Sequence, residues 1–186
     1  MDIHVLGIAG SLRKDSYNRA LLMAASTLLP EGMTLEIADI REIPLYDGDV
    51  EAQGVPEPVY ALKNRIQNAD ALLIVTPEYN YSIPGVLKNA IDWFSREPDP
   101  PLNGKPAAIM GASIGMFGTA RSQYHLRQVG VATNMLILNT PQVFITMAKD
   151  KFDTQGVLIH EKSRNAVRDL LSSLKAWTLR LKNEHR

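Results

Sequence analysis

Two hydrophobic periodicities take turns along this chain. Residues 2–8 are a near-continuous apolar run, which predicts a buried strand. Over about 18–29, Ala20, Leu21, Ala24, Ala25 and Leu28 recur at helical spacing and predict an amphipathic helix. Residues 33–38 alternate apolar and polar, as a strand with one covered face does. Residues 39–55 are rich in Asp, Gly and Pro and read as a long loop. Pro56 and Pro58 then open a helix to about Asn68, with Leu62 and Ile66 inward. Residues 71–75 are the most apolar stretch and predict a central strand. Pro84 starts a helix whose Val86, Leu87, Ala90, Ile91 and Phe94 form one stripe, and the proline-rich residues 97–104 are a loop. A strand over 105–111, a helix over about 119–129 and a fifth strand over 135–138 follow. The last helix, about 162–182, carries Val167, Leu170, Leu171, Leu174, Trp177 and Leu181 at helical spacing.

Five strands alternating with five helices predict an α/β fold. The expected form is a flavodoxin-like, doubly wound, five-stranded parallel sheet of order 2-1-3-4-5 with helices on both faces. A length of 186 residues suits a single domain spanning 1–186 with a substantial core. Lys+Arg and Asp+Glu both number 20, and this balance argues against broad binding to nucleic acid or membrane surfaces. No apolar run approaches membrane-spanning length, and the N-terminus lacks the basic lead-in of a signal peptide, so a cytoplasmic protein is expected. The absence of cysteine excludes disulfides, thiolate catalysis, cysteine-ligated zinc and iron–sulfur clusters. His4, His125, His160 and His185 are scattered without metal-site spacing, so no metal is expected.

Chemistry concentrates in three loops that the predicted topology brings to one edge of the sheet, beyond the carboxyl ends of neighbouring strands. After the first strand, Gly10-Ser11-Leu12-Arg13-Lys14-Asp15-Ser16 offers backbone N–H groups, hydroxyls and positive charge next to a helix N-terminus. Such a loop suits an anion, most naturally a phosphate, with Ser11, Arg13, Ser16 and Asn18 as candidate contacts. Gly7 and Gly10 are spaced G-x-x-G, which lacks the dinucleotide fingerprint, and no G-K-[ST] triplet marks a nucleoside triphosphate loop. Ser16 or Asp15 also suits a plain helix cap, worth about 1 kcal/mol. Residues 76–85 add Tyr79, Tyr81, Asn80 and a proline-braced backbone. The glycines of 111–118 let a backbone approach a flat ligand closely. A phosphate at one end and a planar heteroaromatic ring at the other describe flavin mononucleotide, FMN. The two tyrosines equally suit packing of their loop on the following helix.

Gly10 to Asn18 together with Pro77-Glu78-Tyr79-Asn80-Tyr81-Ser82-Ile83-Pro84-Gly85 and its continuation to Trp93 closely resembles the NADPH-dependent FMN reductase family. Ser113 to Thr119 followed by Arg121 to Arg127 is similar to it as well, and the resemblance runs through about residue 140. It implies an FMN cofactor with NAD(P)H as electron donor. Ser11, Arg13, Ser16 and Asn18, with Tyr17 in the same motif, would surround the phosphate. Pro77, Glu78, Tyr79, Asn80 and Tyr81 would line the ring region, largely through main-chain atoms. Ser113 and Gly115 would border the ring from the third loop. The resemblance also implies homodimers or homotetramers, and Arg121, Tyr124 and Arg127, at i, i+3 and i+6, can share an exposed face for such contacts.

The implied reaction passes hydride from NAD(P)H to a quinone, flavin, azo compound or similar oxidant by a ping-pong scheme, with the hydride chemistry carried by FMN and no catalytic side chain. One alternative is a non-enzymatic flavodoxin-like electron carrier, although such carriers usually dock through an acidic surface that this neutral chain lacks. A phospho-signalling receiver on the same fold would need an aspartate where Thr76-Pro77 stands.

Overall fold

The strand Ala71–Val75, here β3, has no polar side chain and every residue is buried. Such a segment is stable only where both faces of a sheet are covered, which puts it in the middle. The computed structural model describes residues 2–184, so His185 lies outside the described residues. Its other elements are β1 (Ile3–Ala9), α1 (Tyr17–Ser26), β2 (Met33–Ala38), α2 (Gly48–Gln53), α3 (Glu57–Asn68), α4 (Gly85–Phe94), β4 (Pro106–Ala112), α5 (Ala120–Ala132), β5 (Leu136–Ile137), β6 (Val143–Ile145) and α6 (Glu161–Glu184).

The sheet runs β2-β1-β3-β4-β5 with every pair parallel, in the order expected from the sequence. Leu6 faces Leu72 and Ile8 faces Ile74 across the β1–β3 pair, and Ile74 faces Ile109 across β3–β4. Alternation along the strands feeds two cores. Ala71, Leu73 and Val75 pack with Leu21 and Leu22 of α1 and with Leu170, Leu171 and Leu174 of α6. Leu72 and Ile74 pack with Leu62 and Ile66 of α3, Leu87 and Ile91 of α4, and Leu126 of α5.

Two features depart from the sequence reading. The fifth strand is shorter than 135–138, and its place beside β4 is divided: Leu136 and Ile137 pair with Pro106 and Ala107, whereas Val143 to Ile145 pair with Met110 to Ala112. Between them lie Asn139, Thr140 and Pro141, and a proline cannot donate to the ladder. The second departure lies within 39–55, where Asp47 caps the short helix α2 by accepting from Asp49 N–H at 2.9 Å. That helix buries none of its residues and so shows no apolar stripe. The segment before it is anchored on α4: Trp93 Nε1–H donates to the Pro44 carbonyl at 2.9 Å, and Asn89 Oδ1 accepts from Tyr46 N–H at 2.8 Å.

At the opposite end from the three loops, the Asp70 carboxylate accepts from His4 N–H at 2.8 Å and pairs with Lys182. Burial pushes the Asp70 carboxyl upward, yet the Lys182 hydrogen bond and charge and the His4 amide together hold it below its ordinary value. A carboxylate depressed in the folded state stabilises the fold above its unfolded pKa, and this contribution disappears as pH falls through the folded value. Asp70→Asn is therefore expected to lower the urea unfolding midpoint at neutral pH. The gap from the unsubstituted protein should narrow on acidification below about pH 4, near the unperturbed aspartate value.

Candidate active site

Loops follow β1, β3 and β4 at the carboxyl edge, on either side of the point where the order reverses between β1 and β3. The first begins where Gly10 N–H donates to the Val75 carbonyl at 2.8 Å, stitching the end of β1 to the end of β3. Beyond it, the amides of Ser11, Leu12, Arg13 and Lys14 donate to no acceptor among the described residues. Ser11 and Ser16 are nearly buried, at 3% and 5% exposure. Ser16 does cap α1, accepting from Asn18 N–H at 3.2 Å. Arg13 is exposed and has no ion pair or hydrogen bond among the described residues. Unused amides and a guanidinium without a partner thus stand ahead of a helix N-terminus, a donor set chemically suited to an anion.

The second loop is a tight hairpin. Tyr79 and Ser82 exchange backbone hydrogen bonds at 3.1 and 3.0 Å, and the two residues between them, Asn80 and Tyr81, have φ of 49° and 66°. Positive φ at both central positions belongs to a type I′ turn, which Asn enters easily and Tyr does not. Tyr81 is held there from outside: the Arg121 guanidinium stacks on its ring at 3.7 Å and on the Phe117 ring at 4.4 Å. The amides of Glu78 and Asn80, and the Asn80 side chain, have no hydrogen-bond partner among the described residues.

Glu78 explains why Arg121 stands there. Its side chain is only 8% exposed, and Oε1 lies 2.5 Å from both Nε and Nη2 of Arg121. Oε2 accepts from Arg121 N–H at 3.0 Å and from Ser122 N–H at 3.4 Å. These amides open α5, whose own N-cap, Thr119, sits at φ 70° and supplies no side-chain cap. Glu78 is thus the cap of α5, provided from another loop, and its carboxylate is fully engaged.

Two further bonds complete the frame. Asn18, 3% exposed, donates from Nδ2 to the Ala112 carbonyl and accepts at Oδ1 from Ala112 N–H, each at 2.9 Å. Ser11 Oγ lies 3.4 Å from the Tyr79 hydroxyl. The third loop is pinned by Ser113 N–H to the Ile145 carbonyl at 2.9 Å and by Met147 N–H to the Gly115 carbonyl at 3.1 Å, so β6 supports it. Ser113 Oγ also donates to the Gly115 carbonyl, at 3.3 Å.

Of the residues singled out from sequence, Ser11, Ser16, Pro77, Glu78, Tyr79, Asn80, Tyr81, Ser113 and Gly115 fall on these three loops, and Asn18 lies on the first turn of α1. Arg13 is on the first loop but touches neither of the others. The Tyr17 ring packs on Phe152, with centroids 5.3 Å apart. The trio expected to share an exposed face does not do so. Tyr124 is 53% exposed, but Arg121 turns to Glu78 and Arg127 is half-buried, donating to the Leu138 carbonyl at 3.0 Å. Burial pushes the Arg127 guanidinium below its ordinary pKa, against the nearby Tyr124. Sequence reasoning missed Arg121 as the partner of Glu78 and of the Tyr81 and Phe117 rings, because the pairing with Glu78 spans 43 residues with no local spacing to mark it.

Known proteins resemble this chain over nearly its whole length. A profile of the NADPH-dependent FMN reductase family matches residues 3–150. An NAD(P)H-dependent FMN reductase of Pseudomonas aeruginosa is 55% identical over 181 residues, covering 97% of this chain and 98% of the relative. A quinone reductase of Escherichia coli K12 is 42% identical over 183 residues, covering 97% of each. Among solved structures, the flavoenzyme NAD(P)H:(acceptor) oxidoreductase from Paracoccus denitrificans superposes with a TM-score of 0.87 at 33% identity, covering 96% of this chain and 98% of that one.

Removing the Glu78 carboxylate strands the Arg121 guanidinium and uncaps α5. Glu78→Ala is expected to cost about 1–3 kcal/mol in urea unfolding, the scale of lost charge-assisted hydrogen bonds. Glu78→Gln, which still accepts from the amides, should lose less.

Proposed function

The chain belongs to the NADPH-dependent FMN reductase family, and we propose that it is an FMN-dependent NAD(P)H oxidoreductase whose FMN lies across the three loops with a quinone-type oxidant as second substrate. The observation that carries the reading is the first loop, where free amides and the partnerless Arg13 face no protein acceptor. A phosphate monoester satisfies both. Ser11, Ser16 and the α1 N-terminus complete the phosphate end, and Asn18 acts by locking that end to Ala112. Main-chain groups of Pro77 to Asn80 meet the ring edge, while Ser113 and Gly115 border it.

Bound FMN supplies the centre that takes hydride from NAD(P)H and gives it to the oxidant. The chain's own work is placement. Its loops hold the ring edge with fixed dipoles, and the exposed Tyr79, Tyr81 and Phe117 offer apolar surface for flat molecules. A single site that served NAD(P)H and the oxidant in turn would give ping-pong kinetics. No side chain is assigned as nucleophile or general acid, since the Glu78 carboxylate is committed to α5. The whole chain acts as one FMN-binding unit. Exposed Ile114, Met116 and Phe117 beside the cleft support a homodimer or homotetramer. The cysteine-free composition suits a cytoplasmic location.

Purified protein is expected to take up FMN at micromolar concentration, seen as a yellow complex, and to bleach rapidly when mixed with NADPH without oxygen. Protein that stays colourless in added FMN overturns the reading, whereas FMN that binds but resists NADPH points to an electron carrier. Arg13→Ala should weaken FMN binding, measured by quenching of flavin fluorescence, about tenfold or more, as expected for one charge-assisted phosphate contact.

A further inference from the structure

Arginines in this protein are almost all engaged. From Arg41 to Arg180, each arginine among the described residues has a hydrogen-bonding, ion-pair or other electrostatic partner. Arg13 and Arg19 have none. Arg13 is accounted for by the FMN phosphate. Arg19 is not: it is half-buried on the first turn of α1, and its guanidinium has no acceptor among the described residues.

Arg19 borders a groove of about 860 Å³ between α1 and residues 153–158. The volume falls within the range of small-molecule sites, about 300–1,000 Å³. At the end nearest the FMN loop the groove is lined by Arg13 and Lys14, and Lys14 is also exposed and partnerless. Along α1 its wall is apolar, from Ala20, Ala24 and the 58%-exposed Met23. It contains two carboxylates. That of Asp153 accepts from Gln155 N–H at 2.9 Å and Val157 N–H at 2.8 Å, and the cations without partners, Arg13, Lys14 and Arg19, outnumber the carboxylates by one. This donor set suits a phosphate monoester carried on a flat, weakly polar body.

Resting on the functional reading above, we propose that this groove takes the adenosine end of NADPH, with Arg19 and Lys14 holding its 2′-phosphate. Arg13 stands where the loop and the groove meet, so a dinucleotide whose nicotinamide reaches the flavin passes over it towards Lys14 and Arg19. NADH brings no second phosphate to these side chains. Arg19 and Lys14 are thereby specificity-determining residues.

The test titrates FMN-loaded protein calorimetrically with 2′,5′-ADP and with 5′-ADP, for the native protein, Arg19→Gln and Arg19→Lys. Native protein should bind 2′,5′-ADP about tenfold or more tightly than 5′-ADP, the scale of one charge-assisted contact. Arg19→Gln should abolish the preference, and Arg19→Lys should keep part of it. The ratio of kcat/KM for NADPH over NADH should fall by a similar factor in Arg19→Gln. Equal binding of the two nucleotides, or an unchanged preference in Arg19→Gln, overturns the inference. So does loss of FMN from Arg19→Gln, which would assign Arg19 to the flavin phosphate. Nucleotide binding is also measured on FMN-free protein, so that failure to take up FMN, which sinks the functional reading, remains separate from failure to discriminate the 2′-phosphate.

Discussion

A single carboxylate decides whether two of the three loops keep their positions. Glu78 leaves the end of β3 and reaches the first amides of α5, so the start of that helix is defined by a residue 43 positions earlier. The other sides of the frame are similar in kind. Asn18 joins the first turn of α1, where the first loop ends, to the end of β4 through a two-way amide contact across 94 residues. Ser11 approaches Tyr79 between the first loop and the second. Three loops tied pairwise form a triangle, and a triangle does not shear. A cofactor placed on such a frame meets donors already oriented, which is how a site made mostly of backbone groups gains selectivity.

Close packing reinforces the triangle from beneath. A Cβ on Gly111 would stand 2.0 Å from Thr119 Oγ1 and 2.4 Å from the Thr76 carbonyl oxygen, so only glycine lets the end of β4 pass between the roots of the second and third loops. Thr76 and Ser122 are fully buried there, with hydroxyls 3.1 Å apart. The glycine-rich stretch therefore serves close backbone approach, as its composition suggested, but part of that approach is to the protein itself rather than to a ligand.

Periodicity carried most of the architecture into the sequence. A strand such as β3 and a helix such as α6 repeat their pattern long enough to be read, and the order of strands followed from their alternation with helices. Elements too short to repeat escaped: β6 has three residues beyond a proline, and α2 is solvated on every side. The three loops were legible because unusual composition collected at the ends of neighbouring strands. Their mutual bonds were not. Nothing local distinguishes a glutamate that caps a distant helix from one that lines a ligand, and the same side chain suited both until α5 was seen to lack a cap of its own. The family resemblance implies where FMN would sit, yet only the structure shows that the Asn18 and Glu78 side chains are engaged with the protein's own backbone.

The zero net charge of the chain reflects equal numbers of basic and acidic side chains, 20 of each, and leaves their placement open. Several cations outside the first loop and α1 are paired with carboxylates, as Arg65 is with Glu36, Arg121 with Glu78 and Lys182 with Asp70. Arg13, Lys14 and Arg19 are left without such partners within one short stretch. A field that is balanced overall but positive at one place cannot steer polyanions broadly, yet it can hold a small, highly charged phosphate at short range, where screening is weakest. A local excess of cations within global neutrality suits a small anionic group such as a phosphate, and it differs from the acidic surface of a carrier more sharply than the fold the two would share.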